Sequence, residues 1–488
     1  MEDGLTFAVI PERPLARSDQ DSELDIAIEL SAARSVGPQS TGFALNLCLV
    51  IDRSGSMDGP KLEKAKQSCL EIFRSLNPDD QFTLLAFDDL VVSVVNPQTP
   101  PSQVEERIAS LQSGGSTNLS QGWYSGLLDL QTYSSPDRIN RLLLLSDGQA
   151  NAGETKPSVL ADESRRTRDE LGITTSTIGV GRDFQEDILV SLATHSGGRF
   201  WFIDEARIED IIKEEFTGAL SVFLERPNVV LSLPDGVSIS RELNHIPKIS
   251  DRYRLRPLKS NDHISLAVRL AIRPEQVNAT EFTLDATLYD GEGVVQHSST
   301  PVKFGSLDDV AASDEDERVT SAVTNYLASS SDEQMVERID AGDFTTMAKM
   351  LREQSSIMKT IESKLSRAGR LSWEERQDEQ AQELGRFRMK VAENENLVAI
   401  IELIDLLQGL GDTKAAVHLG TILRKSMVSR GSRDIQQHSV SDMDELHLED
   451  LGHVVVAFLE QCVAKYPGQR DRFEAIRKDL YNALARSA

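Results

Sequence analysis

Along the first thirty residues apolar and polar positions alternate with a period of two. Leu5, Phe7 and Val9 share one side, as do Leu24, Ile26, Ile28 and Leu30, while Asp25 and Glu29 face the other way. That period predicts strands over residues 5–9 and 24–30, each with one buried face. Two strands make no stable domain by themselves, so their partners must come from elsewhere in the chain.

From about Ala44 the pattern changes to strands alternating with helices, which predicts a mainly parallel sheet covered on both faces. Strands are expected at Leu45–Asp52, Phe82–Phe87, Val91–Val95, Leu142–Ser146, Thr174–Gly179 and Phe200–Ile203. A helix opens near Pro60, a proline suited to the first helical position, with Leu62, Ala65, Cys69, Ile72, Phe73 and Leu76 on one stripe. Further helices are expected near Val104–Leu111, Leu119–Leu130 and Pro157–Leu171. Asp183 and Glu186 have an acidic form of capping-box spacing for a helix to about Thr194. A long amphipathic helix follows, aligning Ile208, Ile211, Ile212, Phe216, Leu220 and Phe223.

After Pro227 the period returns to two, in Ile264–Ile272 and in Phe282–Leu288, and Asp290-Gly291-Glu292-Gly293 reads as a turn. This predicts an antiparallel sandwich completed by the N-terminal pair, with the α/β domain inserted into it. The acidic stretch Leu307–Arg318 reads as a solvated linker, and the chain beyond it as helical to its end. Ser372 with Glu375 predicts a capping box on a long charged helix. Leu397–Leu410 and Lys414–Met427 form a predicted hairpin about Gly411-Asp412, Ser432–Asp444 a second loop, and two helices run from about Leu446 to Leu484. The expected organisation is N-terminal sandwich strands (1–42), an α/β doubly wound, Rossmann-like domain (43–225), the rest of the antiparallel β-sandwich (226–306), an acidic linker (307–318) and an α-helical C-terminal region (319–488). No fixed-period repeat emerges.

Composition narrows the function classes. A chain of 488 residues with 39% hydrophobic residues is soluble-globular in character and long enough for several domains. A formal charge of −26 argues against nucleic acid and anionic membrane surfaces, which select basic patches. No run approaches the roughly 20 apolar residues of a membrane span, and the start Met1-Glu2-Asp3-Gly4 has no secretory pattern. Three scattered cysteines, Cys48, Cys69 and Cys462, form neither a disulfide framework nor a zinc cluster. A cytoplasmic location is the expectation.

The informative string is Val50-Ile51-Asp52-Arg53-Ser54-Gly55-Ser56-Met57. An apolar strand ends in a carboxylate, and hydroxyls follow at alternate positions, aimed at the crevice where open α/β sheets bind ligands. Gly114-Gly115-Ser116-Thr117-Asn118 offers a hydroxyl just before a helix, and Leu145-Ser146-Asp147-Gly148 a second strand-terminal carboxylate. Asp52, Ser54, Ser56, Thr117 and Asp147 together supply only hard oxygens. Such a set suits Mg2+ or Mn2+ better than Ca2+, for which a denser carboxylate cage would be expected. Two carboxylates neutralise a dication without surrounding it, leaving an attraction for an external carboxylate. Taken singly, each of these residues could merely cap a turn or a helix; their order and their placement at strand ends point to a metal. No phosphate-binding loop, nucleophile elbow or histidine pair at ligand spacing appears. Sequons occur at Asn118 and Asn278, and Trp373 reads as a packing anchor.

The Asp-x-Ser-x-Ser, Thr and Asp elements resemble the metal-ion-dependent adhesion site of von Willebrand factor A (vWA) domains, in the family's order, at Asp52, Ser54, Ser56, Thr117 and Asp147. The resemblance covers roughly residues 43–225 and includes the closing Gly197-Gly198-Arg199-Phe200-Trp201-Phe202-Ile203-Asp204 segment. It implies direct coordination by Ser54 and Ser56, with Thr117 and Asp147 binding directly or through water. It further implies that Asp52 acts partly through water, and that a partner's Glu or Asp completes the shell. The arrangement with a surrounding sandwich resembles bacterial intracellular members and inter-α-trypsin inhibitor heavy chains. The function expected is a metal-dependent protein–protein interaction module, a scaffold or adaptor, not an enzyme. Alternatives are an accessory subunit beside a separate chelatase-like ATPase, a Mg-dependent hydrolase, and a purely structural site.

Overall fold

A computed structural model of the chain describes residues 4–33, 44–135, 138–150, 152–181, 184–203, 205–277, 279–368, 377–435 and 442–487. Three strands open it, β1 (Leu5–Pro11), β2 (Leu15–Arg17) and β3 (Ser22–Ala32). The α/β part follows as β4 (Ala44–Asp52), α1 (Pro60–Ser75), β5 (Gln81–Phe87), β6 (Val91–Val95), α2 (Pro101–Ala109), α3 (Leu119–Thr132) and β7 (Arg138–Ser146), then α4 (Pro157–Leu171), β8 (Ile173–Val180), α5 (Glu186–Ser196), β9 (Phe200–Ile203) and α6 (Ile208–Leu220). Its strands lie in the order β6-β5-β4-β7-β8-β9, parallel except for the edge strand β6.

The residues of β4 explain its central place. All but its first are buried, because a parallel strand is covered on both faces and reads as a nearly continuous apolar run. Leu45, Leu47, Leu49 and Ile51 pack with Leu62, Cys69, Val104 and Ile212 on one face, while Cys48 and Val50 pack with Trp123, Leu127 and Ile188 on the other. The order of strands reverses direction between β4 and β7. Their carboxyl ends therefore flank the crevice where such sheets present ligand-binding loops.

Beyond α6 come β10 (Val222–Leu224), β11 (Pro227–Ser232), β12 (Val237–Glu242), β13 (Lys248–Ile249), β14 (Arg252–Arg254), β15 (Leu258–Lys259), β16 (His263–Ile272), β17 (Glu281–Asp290) and β18 (Gly293–Gly305). One sheet has the order β1-β3-β16-β12 and the other β13-β14-β11-β17-β18-β2, so strands from both sides of the α/β part share each sheet. Their inner faces meet through Phe7, Ile26, Ile28, Leu266, Val268, Phe282, Leu284 and Leu288. The N-terminal pair does join strands far along the chain: Ile28 lies opposite both Val9 and Leu266.

The rest is helical, with α7 (Leu307–Ala312), α8 (Glu317–Asp340), α9 (Phe344–Ala368), α10 (Gln377–Gly409), α11 (Thr413–Ile435), α12 (Asp442–Lys465) and α13 (Arg470–Ser487). The α10–α11 turn falls at Gly411, whose φ of 79° suits glycine. Helix α8 lays Val319 and Ala322 on Ala27 and Ala267, on the outer side of the first sandwich sheet. Helix α11 docks on the α/β part: Arg424 pairs with Glu186 at 2.7 Å, and Lys425 lies 3.7 Å from the centroid of Phe184.

Several expectations need correction. The stretch Leu307–Arg318 is not a bare linker, because Ser306 and Asp309 form a capping box that opens α7, and Arg13 pairs with Glu315. Phe223 does not extend α6; it lies in β10, which pairs with β15. Glu186 opens α5 as its first residue and turns to Arg424, and the helix N-cap is Gln185. Helix occupies Ser432–Ile435 and Asp442–Asp444 at the two ends of the expected second loop. Asp183, Asp204, Asn278, Ser372, Trp373, Glu375 and residues 436–441 lie outside the described residues.

Candidate metal centre

All five singled-out residues converge at the carboxyl ends of β4 and β7. Asp52 ends β4 with no exposed surface, and its Oδ1 accepts the Ser54 backbone N–H at 2.8 Å, folding the chain back at once. A short 3-10 turn over Gly55–Met57, closed by Met57 N–H to Ser54 O at 2.9 Å, puts the two serine hydroxyls 3.1 Å apart. Ser56 Oγ then donates to Asp147 Oδ1 at 2.6 Å, joining the β4 loop to the β7 loop. Thr117 Oγ1 and Asp52 Oδ2 border one cradle: a Cβ on Gly148 would stand 2.7 Å from the first and 3.6 Å from the second. A side chain at position 148 would press into that space, so glycine there keeps it open.

The loop carrying Thr117 is stapled in place by backbone bonds. Gly114 N–H donates to Arg53 O at 2.7 Å, and Gly55 N–H to Gly115 O at 3.3 Å. Asp88, just past β5, braces both loops: it pairs with Arg53 at 2.8 Å, accepts the Gly115 N–H at 3.2 Å, and its carbonyl accepts the Asn118 N–H at 2.8 Å. Burial would raise the Asp88 carboxyl, but the Leu90 N–H and the Arg53 guanidinium overcome it and hold the group below its ordinary value. Asn118 caps α3 by accepting the Gln121 N–H at 3.3 Å.

Electrostatically the centre is short of positive charge. Burial pushes the Asp52 carboxyl above its ordinary value, and nearby Asp147 adds to the rise against bonds from Ser146 and Ser54. The donors are three hydroxyls and two carboxylates held close together at a sheet's open end, with one carboxylate destabilised in its charged form. That chemistry fits a hard dication, which would relieve the repulsion and take oxygen ligands. Among the described residues no three His, Cys, Asp or Glu side chains gather at metal-binding distance, here or elsewhere; the donors at this centre are two carboxylates and three hydroxyls.

Three contributors were not singled out from sequence. Ser146 donates to Asp52 Oδ2 at 2.6 Å, Asp88 braces the loops, and Lys61 contacts Asp147 Oδ2. Ser146 precedes Asp147 at a strand end and could have been noticed by that position. Lys61 carries no such signal, being one of three lysines in early α1. Apart from the site, burial raises the Cys48 and Cys69 thiols, and all three cysteines are buried and unpaired.

Comparison with known proteins bears on the fold that carries these residues. The family model of the von Willebrand factor type A domain matches residues 46–214. An uncharacterized protein of Synechocystis sp. is 27% identical over 179 residues, covering 36% of this chain and 42% of that protein. Human inter-alpha-trypsin inhibitor heavy chain H4 is 27% identical over 169 residues, covering 32% of this chain and 18% of its own length. The chain thus spans less than half the length of these relatives. Among solved structures, a von Willebrand factor type A protein from Catenulispora acidiphila aligns with a TM-score of 0.58 at 15% identity, covering 74% of this chain and 88% of that one. The ArnB paralog VWA2 from Sulfolobus acidocaldarius aligns at 0.52 and 16% identity, covering 88% and 98%. At those identities the likeness is one of fold. Residues 46–214 are a vWA domain, set among further β-sheets and followed by a helical region.

Proposed function

We propose that this chain is a metal-dependent protein-binding module whose vWA site, Asp52, Ser54, Ser56, Thr117 and Asp147, holds Mg2+ or Mn2+ and grips an acidic side chain of a protein partner. The observation carrying the proposal is the cluster that joins Ser54, Ser56 and Asp147 through hydroxyl contacts of 3.1 and 2.6 Å, beside the buried Asp52 carboxylate. The chain's own residues do the positioning. Asp52 and Ser146 fix the turn, Asp88 and Arg53 hold the Thr117 loop against it, and Gly148 leaves the cradle clear. When bound, the ion supplies an electrophilic centre for an incoming carboxylate. vWA domains in general serve as metal-dependent interaction modules, which supports the same reading.

We read the chain as a binder and not an enzyme. Asp52 and Asp147 are the two carboxylates of the site and would be taken up in holding the ion, which supports that reading. A reducing compartment such as the cytoplasm belongs to the proposal and is supported by three buried, unpaired cysteines. Among the described residues no helix is long and apolar enough to cross a membrane.

The test is affinity capture from native extract in Mg2+ and in chelator, with wild type, Ser54→Ala and Asp147→Ala. The expected result is a partner retained by wild type only with metal and reduced at least about tenfold in both variants. A partner set unaffected by chelator and by both substitutions would overturn the proposal.

A further inference from the structure

Lys61, Lys64 and Lys66 all stand early in α1, and only their surroundings tell them apart. Lys64 donates to Glu205 O at 3.0 Å, away from the site. Lys66 pairs with Glu63 at 2.8 Å and donates to Leu111 O at 3.2 Å. Lys61 turns toward the metal centre: its ammonium contacts Asp147 Oδ2 and donates to Ser56 O at 3.2 Å. Its side chain keeps 25% of its exposure, whereas the Asp147 side chain keeps none.

Two features make that placement informative. Helix α1 begins at Pro60, so Lys61 sits in the first turn, where the positive end of the helix dipole disfavours a cation. Helix stability does not account for an ammonium there, and the buried carboxylate beside it does. The second feature is charge. Arg53, the nearest cation in sequence to Asp52, is committed to Asp88 at 2.8 Å. Among the described residues, no other cationic side chain bonds to Asp52 or Asp147.

We propose that Lys61 is a tethered counter-cation that neutralises Asp147 in competition with the divalent ion and so sets how tightly the site holds it. The inference rests on the reading of the site given above and adds its regulation. With Lys61 in place, two carboxylates and one ammonium leave one net negative charge to attract a dication; without it they leave two. An ion entering must part Lys61 from Asp147, so loading answers to the ambient metal concentration and partner binding becomes conditional on it. The competing charge sits close by, yet solvent reaches the lysine. The cost to affinity is therefore between about tenfold and a hundredfold.

The experiment is a Mn2+ titration of the full chain, with free Mn2+ followed by electron paramagnetic resonance, on wild type, Lys61→Met, Lys61→Arg and Ser54→Ala. Lys61→Met is expected to bind at least about tenfold more tightly than wild type, Lys61→Arg within about threefold of it, and Ser54→Ala much more weakly. Should Lys61→Met melt well below wild type in chelator, Lys61→Gln, which keeps a hydrogen-bonding group without the charge, replaces it. Equal or weaker binding by a folded, charge-removed variant overturns the role of Lys61 while leaving the metal site standing. Absence of Mn2+ binding in wild type and Lys61→Met alike overturns both.

Discussion

Two regions of this molecule bury charge, and they resolve it in opposite ways. In the helical region Asp332 has 1% exposure, and its carboxylate meets Arg430 at 2.6 Å, Lys390 at 3.1 Å and the Gln354 amide at 3.0 Å. Arg430 also donates to Asn394, whose amide reaches Gln354 at 2.8 Å. One anion is met by two cations and a frame of amides, so its charge is answered from within the chain. In the vWA domain Asp52 and Asp147 are buried as deeply, yet of the two Lys61 contacts Asp147 alone, and Asp52 is met by the Ser54 N–H and the Ser146 hydroxyl. Burial by itself thus says little about function. What separates the two is whether a buried carboxylate is met by cations of the chain or left for something else to meet.

The sharpest way to break the comparison is at Asp332. Replacing it with Asn would leave Arg430 and Lys390 buried without their counter-charge, at a cost of about 3–5 kcal/mol. Urea unfolding followed by circular dichroism should show that loss, with Mn2+ affinity unchanged because the site lies in another part of the fold. A loss below about 1 kcal/mol would mean that the helical network is not held by its own charge balance.

A middle-sized effect should appear at the metal centre, with the opposite dependence on added ion. Metal at a hundredfold excess over its dissociation constant should stabilise the wild-type vWA domain by about 2.7 kcal/mol, and chelator should remove the gain. Asp147→Ala should abolish that increment, while Asp332→Asn should keep it despite its lower baseline. Melting curves with and without Mg2+ check both statements. An equal metal increment in Asp147→Ala would place the binding elsewhere.

The same contrast explains what could be seen from sequence. Asp52, Ser54, Ser56, Thr117 and Asp147 were legible because each lies within a few residues of a strand or helix end, and parallel strands announce their ends by the close of an apolar run. The sandwich was legible because a period of two persisted on both sides of the α/β part. Long-range pairing was not. Residues 15–17 show no apolar alternation, yet they pair in parallel with residues 303–305 at the edge of the second sheet. The acidic stretch after residue 306 hid a capping box and an ion pair to Arg13 because charge alone predicts solvation. Lys61 was hidden for the reason that makes it interesting: three lysines of similar spacing differ only in what faces them.

The smallest expected effect lies where the two regions meet. Arg424 bridges Glu186 and Asp340 at 2.7 Å each, and Glu186 opens the helix that follows Phe184. That segment touches the metal loop, with Gln185 N–H donating to Gly148 O at 3.2 Å and the Gln149 amide to Phe184 O at 3.0 Å. Arg424→Ala should cost about 1 kcal/mol, since Arg424 is partly exposed and Lys425 remains close by. The deficit should depend on pH. Burial raises the Glu186 carboxyl above its ordinary value of 4.5 despite Arg424 and Lys425. An acid raised in the folded state supports folding below its ordinary value and loses that support as pH rises through the folded one. Without Arg424 the rise is larger, so the deficit should be full near neutrality and shrink toward pH 4.5, as urea titrations at the two pH values would show. Because the bonds between residues 148–149 and 184–185 do not involve Arg424, Mn2+ affinity in Arg424→Ala should stay within about threefold of wild type. A tenfold change would show that the two regions are energetically one system, with the helices acting on the ion through the Gln185–Gly148 and Gln149–Phe184 bonds.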